Sequence, residues 1–151
     1  MKDSQPDPDL AGPNTIARGE VMPLLLNACP SFQGAWKAHV ADSSYEEGLL
    51  YIDLGEFARH LVELMGTGST KEFSAVFDVV ERLHVDGDSY VKEAATIGLL
   101  EGIQHMAGDD AVDLEAFVPH LRSESAKWWA ELNGFWGGNS PYVGAGIKPT
   151  T

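Results

Sequence analysis

Apolar residues recur along the middle of this chain at helical spacing, and nowhere at the two-residue alternation of a half-buried strand. Val21, Leu24, Leu25 and Ala28 form one face of a first helix. Pro23 either lies in its first turn or kinks it, because proline lacks an N–H and crowds the preceding turn. A short segment around 33–40 puts Trp36 and Val40 on one face. A stronger helix over about 51–65 buries Leu54, Phe57, Ala58, Leu61 and Met65, and GTGS ends it. Thr70 has the chemistry of an N-cap for the next helix, whose inward positions are Phe73, Val76, Phe77, Val80 and Leu83. Beyond the turn HVDGD, Asp88 is placed to cap a helix from Ser89 to about Met106. A carboxylate there accepts from free N–H groups of the first turn and complements the helix dipole.

That helix is apolar almost all round, through Val91, Ala94, Ala95, Ile97, Leu99, Leu100 and Ile103, the pattern of a central buried helix. Ala94, Gly98 and Gly102 recur every four residues on it. Glycine costs about 1 kcal/mol relative to alanine inside a helix, so the pair predicts a neighbour packed close to the backbone. Asp113 can cap a short helix to His120, and Ser123 opens the last one. The pattern predicts an all-α fold, a single compact bundle of about six helices with antiparallel HEAT-like hairpin packing. Short connections predict neighbours stacked in chain order. The unit over 72–106, with VxxAAxxGLLE in its second helix, is similar to a HEAT-type hairpin. No second copy follows at a fixed period, which argues against a solenoid. Residues 1–14, with Pro6, Pro8 and Pro13, read as a flexible leader. The helical domain is expected over 15–137, and 138–151 as a flexible or extended tail.

Composition sharpens the picture. A 44% hydrophobic content over 151 residues suffices for one folded domain with a true core. The formal net charge of −13 repels phosphate backbones and anionic membranes, so neither nucleic acid nor membrane is expected as a partner. It speeds encounter with a basic protein, and equally keeps an acidic protein soluble. No apolar run approaches the ~20 residues of a membrane span, and MKDSQPDPDLAGPN lacks the apolar core of a secretory signal. The expected location is cytoplasmic. A single cysteine, Cys29, excludes an intrachain disulfide and a multi-thiolate zinc site.

Chemical motifs are few. GTGSTK at 66–71 lacks the spacing of a phosphate loop and follows a helix where a strand is required. RLHVDGDSYVKE at 82–93 places Gly and Glu as in a calcium loop, but Arg82 and His84 would occupy the first and third ligand positions. The five histidines show no HxxxH or HxH pair. Asp53, Glu56, His60 and Glu63 share one helix face and are the candidate metal ligands, though such a stripe is more often a solvated helix face. Cys29, beside Pro30 at the end of an apolar helix, reads as a small core residue. Glu101 lies within the apolar helix with His105 one turn on. Together they form a candidate buried polar site, against the plainer reading of a carboxylate paired with Arg59, Arg82 or an indole N–H. Three of the four tryptophans, Trp128, Trp129 and Trp136, fall within nine residues and are candidate anchors for a partner. Adjacent Trp128 and Trp129 should divide, one to the core and one to the surface.

Four pieces, ACPSF with Trp36 and His39, YIDLGEFARHLVEL, FxxVERLHVDGDSYVKEAATIGLLEGIQ and FVPHLRSESAKWWAELNGFW, cover roughly residues 20–137. In this order they resemble a poorly characterised bacterial family of small all-helical proteins, a domain of unknown function. The resemblance implies no activity, so it carries over no catalytic residue and no cofactor. The function expected from the sequence is a non-enzymatic interaction module, in its specific form an immunity-type protein that binds one basic partner. The alternative is a small-molecule or metal-binding helical domain, and an uncharacterised enzyme is the third reading. Oligomeric state is left open.

Overall fold

The computed structural model describes residues 15–136, with side chains through residue 133. Two short helices come first: α1 (Val21–Ala28), entered through a 3-10 turn at Arg18–Glu20, and α2 (Gln33–Ala41), entered through another at Pro30–Phe32. Pro23 falls in the first turn of α1, where the backbone N–H groups have no intrahelical partner in any case. The longer helices α3 (Leu50–Gly66) and α4 (Phe73–Asp86) follow. Then α5 (Ser89–Glu93), a π-helical stretch (Ala94–Leu100) and α6 (Glu101–Asp109) run on as one continuous rod. A 3-10 segment (Leu114–His120) leads to α7 (Ser123–Trp136). The chain is all-α, as its periodicity predicts. Among the described residues the sole β-type pairing is an isolated bridge between Ile16 and Gly87. The expected leader and tail, 1–14 and 138–151, lie outside the described residues.

The rod is central because α3 lies directly on its glycines. A Cβ placed on Gly98 would come within 3.1 Å of Leu54 Cδ1 and 3.4 Å of Tyr51 Cδ2, and one on Gly102 within 3.3 Å of Ala58 Cβ. Tyr51 meets Tyr90 edge-on at one end of this seam, and Gly66 faces Val112 at the other. Residue numbers rise together along both elements, so α3 and the rod run parallel. The stacking in chain order expected from the short connections is corrected here. The main neighbour of α3 is the π stretch and α6, whereas α4 packs chiefly on α1 and α7. Small residues on the rod reward the closer pairing, since dispersion contacts fall away quickly with separation.

The π stretch sits where α-geometry is weakest. Thr96 and Ile97 are β-branched, and Gly98 is a poor helix former. The N–H of Glu101 bonds to the carbonyl of Thr96, five residues back. Such bulges are rare and gather at functional sites.

Caps and clasps fix the remaining elements. Asp88 accepts from the N–H of Val91 at 2.9 Å and Asp113 from that of Glu115 at 3.0 Å, as their positions predict. Thr70 does not cap α4. The helix begins at Phe73 with Glu72 in the cap position, and the Glu72 carboxylate is drawn away to Ser31 and Cys29. Glu81 of α4 caps α7 from outside, its two oxygens accepting from the N–H groups of Glu124 and Ser125 at 2.8 and 2.9 Å. Arg122 donates to Asp78 at 2.9 Å and to the carbonyls of Ser74 and His120, tying the α7 entry to α4. Beneath this joint Phe73, Phe77, Phe117 and Trp129 form an aromatic core. At the opposite end of α4, Ile16 exchanges backbone hydrogen bonds with Asp86 and Asp88. Gly87 has no room for a side chain there, because a Cβ would strike the Leu83 carbonyl oxygen and lie 2.5 Å from Val91 Cγ1.

Gly98→Leu should lower unfolding free energy by about 1–3 kcal/mol through overpacking, read from urea denaturation. Gly87→Ala should destabilise by at least a comparable amount. Wild-type stability in Gly98→Leu would show that the seam is loose.

Candidate functional site

The end of α2, the loop after it and the start of α3 enclose a groove of about 640 Å³. Its frame is a polar pair: Nε2 of half-buried His39 on α2 lies 2.8 Å from Oδ1 of buried Asp53 on α3, and Asp53 is otherwise shut off from water. Tyr45 packs edge-on against His39 and Trp36, fixing the loop above the pair. Asp42 accepts from both the N–H and the hydroxyl of Ser44, at 2.8 and 2.6 Å. Those bonds hold its carboxyl below the ordinary value, so it stays ionised through neutral and mildly acidic pH. Glu46 and Glu56 line the same groove. Among these acids stand two large apolar side chains open to water, Leu49 at 45% and Ile52 at 56% exposure. Ile52 lies off the buried stripe of α3, which is made by Leu50, Leu54, Phe57, Ala58 and Leu61.

A second cavity, about 460 Å³ and open to solvent, lies between α4, α5, the π stretch and α7. Its floor is ordered by His84. The Nδ1 atom is 3.0 Å from the Val80 carbonyl and must donate to it, so Nε2 accepts from the Thr96 hydroxyl at 3.1 Å. Burial outweighs the Val80 hydrogen bond and pulls the imidazole below its ordinary value, keeping it neutral. The walls carry Lys92 and Glu93 from α5 and Glu124 and Trp128 from α7.

A third polar group joins three elements. Ser31 Oγ lies 2.6 Å from Glu72 Oε1 and 2.8 Å from His60 Nε2. A serine hydroxyl has one proton, and the carboxylate claims it, so His60 donates to Ser31. In a serine nucleophile the imidazole accepts instead, so this arrangement does not activate Ser31. Cys29 donates to Glu72 at 3.2 Å, and burial pushes its thiol up to about 11, which leaves it protonated and inert. Burial alone would raise Glu72, but hydrogen bonds from Ser31 and Cys29 outweigh it and hold the carboxyl below its ordinary value.

The residues singled out in the sequence are dispersed by the fold. Of the acidic stripe, Asp53 is committed to His39, Glu56 lies 3.9 Å from Arg59 and His60 faces Ser31, while Glu63 is exposed. Among the described residues no group of three or more metal-ligating side chains converges. Glu101 is half-buried, and burial raises its carboxyl. His105 corrects the expected buried pair: its side chain is 72% exposed and turns to Asp109 at 3.7 Å. Its charge still acts on the Glu101 carboxyl, opposing the rise that burial causes without cancelling it. Trp129 is core at 2% exposure against Phe117, while half-buried Trp128 forms the wall of the second cavity. The side chain of Trp136 lies outside the described ones. Sequence reasoning missed the groove, the His84–Thr96 pair and the Ser31 cluster. The off-stripe Ile52 was the available signal for the first.

Burial holds His60, His84 and His120 below the ordinary imidazole value of 6.5. The unfolded chain therefore takes up their protons first as pH falls. Their contribution to stability is complete above about pH 6.5 and is lost below it, through the folded values. Glu72 and Glu81, also depressed, add a second loss below about pH 4.5. Melting temperature should thus fall in two stages on acidification. His84→Leu should flatten part of the first stage, and an unchanged profile would remove His84 from that account.

No helix among the described residues is long and apolar enough to cross a membrane. No curated protein and no solved structure matches the chain. A family model does match, over residues 22–137, which takes in every helix described here except the first residue of α1. By that match the chain belongs to the family described as Domain of unknown function (DUF7674).

Proposed function

We propose that the protein is a non-enzymatic interaction module that binds one basic protein partner, in the manner of an immunity protein. The observation that carries this reading is the α2–α3 groove, where exposed Leu49 and Ile52 stand among Asp42, Glu46 and Glu56. Apolar side chains give an interface its affinity, and surrounding charge of one sign selects the partner and speeds its approach. The matching surface is a segment with one or two apolar side chains flanked by lysine or arginine. The net charge of −13 extends the same preference to long range. The chemistry of the groove favours recognition over reaction. His39 and Asp53 are spent on each other, and Asp42 is spent on Ser44.

Affinity capture of the tagged protein from its native lysate, at low and then high salt, should retain one basic protein stoichiometrically and release it as salt rises. Ile52→Lys should weaken that partner by about tenfold or more, as loss of an interface anchor does. Reversing Glu46 and Glu56 to lysine should weaken the salt dependence, while Trp128→Ala, outside the groove, should leave binding intact. An empty capture, or retention that Ile52→Lys does not change, would overturn the reading.

A further inference from the structure

The cavity beside the π stretch carries a mixed set of groups that the acidic groove lacks. Lys92 supplies a cation, Glu93 and Glu124 supply carboxylates, and Ile97 and Trp128 supply apolar surface, all facing one space of about 460 Å³. We infer that this cavity is a binding site for a small zwitterion of the amino-acid class with an apolar side chain.

Two of the lining residues, Glu124 and Trp128, already meet an ammonium from Lys127, which is not itself part of the lining. Lys127 Nζ lies 3.5 Å from Glu124 Oε1 and 5.4 Å from the centre of the Trp128 ring. A carboxylate beside an indole face is the pairing that receives organic ammonium groups, through charge and through the ring quadrupole. The Lys127 side chain is 60% exposed, so its hold there is a surface contact that a ligand can displace. Glu93 adds a second carboxylate to the same walls. A carboxylate on the ligand is met by Lys92, and an apolar side chain is met by Ile97 and Trp128.

The walls are preorganised, which lowers the cost of ordering them on binding. Glu81 fixes the first turn of α7, and with it Glu124, by accepting from two backbone N–H groups. His84 fixes Thr96 from below, and the one hydroxyl proton of Thr96 is used on His84 Nε2, leaving its oxygen lone pairs as acceptors only. The π-helical stretch packs its glycine face on α3 and at the same time brings Thr96 and Ile97 to this position. Volume sets the size: small-molecule sites begin at about 300 Å³, so a single amino acid fits and a folded partner does not.

Titration calorimetry of the full chain with L-phenylalanine and L-leucine tests the inference, with phenethylamine and 3-phenylpropionate as half-ligands that each lack one charge. The zwitterions should bind, and each half-ligand should bind at least about tenfold more weakly. Glu124→Gln should weaken the zwitterion and the amine alike. Lys92→Met should reduce the zwitterion to the level of the amine and leave the amine unchanged. Circular dichroism checks that both variants keep their helices, since neither residue is buried in the core. Absence of binding by the wild type, equal binding of phenethylamine and phenylalanine, or binding indifferent to both substitutions would each overturn the inference. None of these outcomes bears on the α2–α3 groove, which Ile52→Lys tests separately.

Discussion

The seam between α3 and the rod over residues 89–109 is the contact on which the remaining arrangement rests. Two glycines without side chains let the helices approach until Leu54 and Ala58 lie against bare backbone. That closeness sets where the N-terminal end of α3 stands, and hence where Asp53, Ile52 and Glu56 stand relative to α2. It also sets the rotation of the rod, which turns Thr96 and Ile97 away from α3 toward α4 and α7. Both candidate sites are therefore positioned by one interface that neither contains. Glycine is a costly residue within a helix, and here the cost is set against the dispersion energy of a close seam.

Polar chemistry in this protein mostly joins elements to one another. Glu81 reaches from α4 to the start of α7, Glu72 from the start of α4 to the α1–α2 turn, and Asp53 from α3 to α2. Glu72 and Glu81 each accept from several donors and Asp53 pairs with His39, so each carboxylate is engaged across elements. The acids that do not join separate elements in this way include those around Leu49 and Ile52 and those in the charged wall beside Trp128, where Asp42, Glu56 and Glu124 have only near neighbours in sequence as partners among the described residues. The acidic residues divide accordingly, with inner carboxylates as clasps between elements and outer ones at the surface.

The sequence was informative wherever a feature is local. Asp88 and Asp113 are caps because their backbone position makes them so, and the glycines of the rod announce a close neighbour before that neighbour is known. Adjacent Trp128 and Trp129 had to diverge, since consecutive helical residues point about a hundred degrees apart. Thr70 is not a cap because a turn from its carbonyl to the N–H of Phe73 precedes α4, and Glu72, in the cap position, answers to Ser31, more than forty residues away. The cluster of Ser31, His60 and Glu72 has no sequence signature for the same reason. The acidic stripe on α3 looked like one set of ligands, but the fold gave each member a different partner. Parallel packing of α3 on the rod was not visible either, since short connections fix antiparallel neighbours and say nothing about which next-but-one helices touch.

The bridge between Ile16 and Gly87 joins the entry of the domain to the turn between α4 and α5. Its two hydrogen bonds enclose α1, α2, α3 and α4 in a single backbone loop. Loop closure of this length costs only slightly more entropy than a much shorter one, but it imposes an order in time. On the ribosome Ile16 emerges long before Gly87 and has no partner until the turn that follows α4 has left the tunnel. The N-terminal segment is thus a late latch in synthesis: its two hydrogen bonds become available only once the whole first half of the domain has been made.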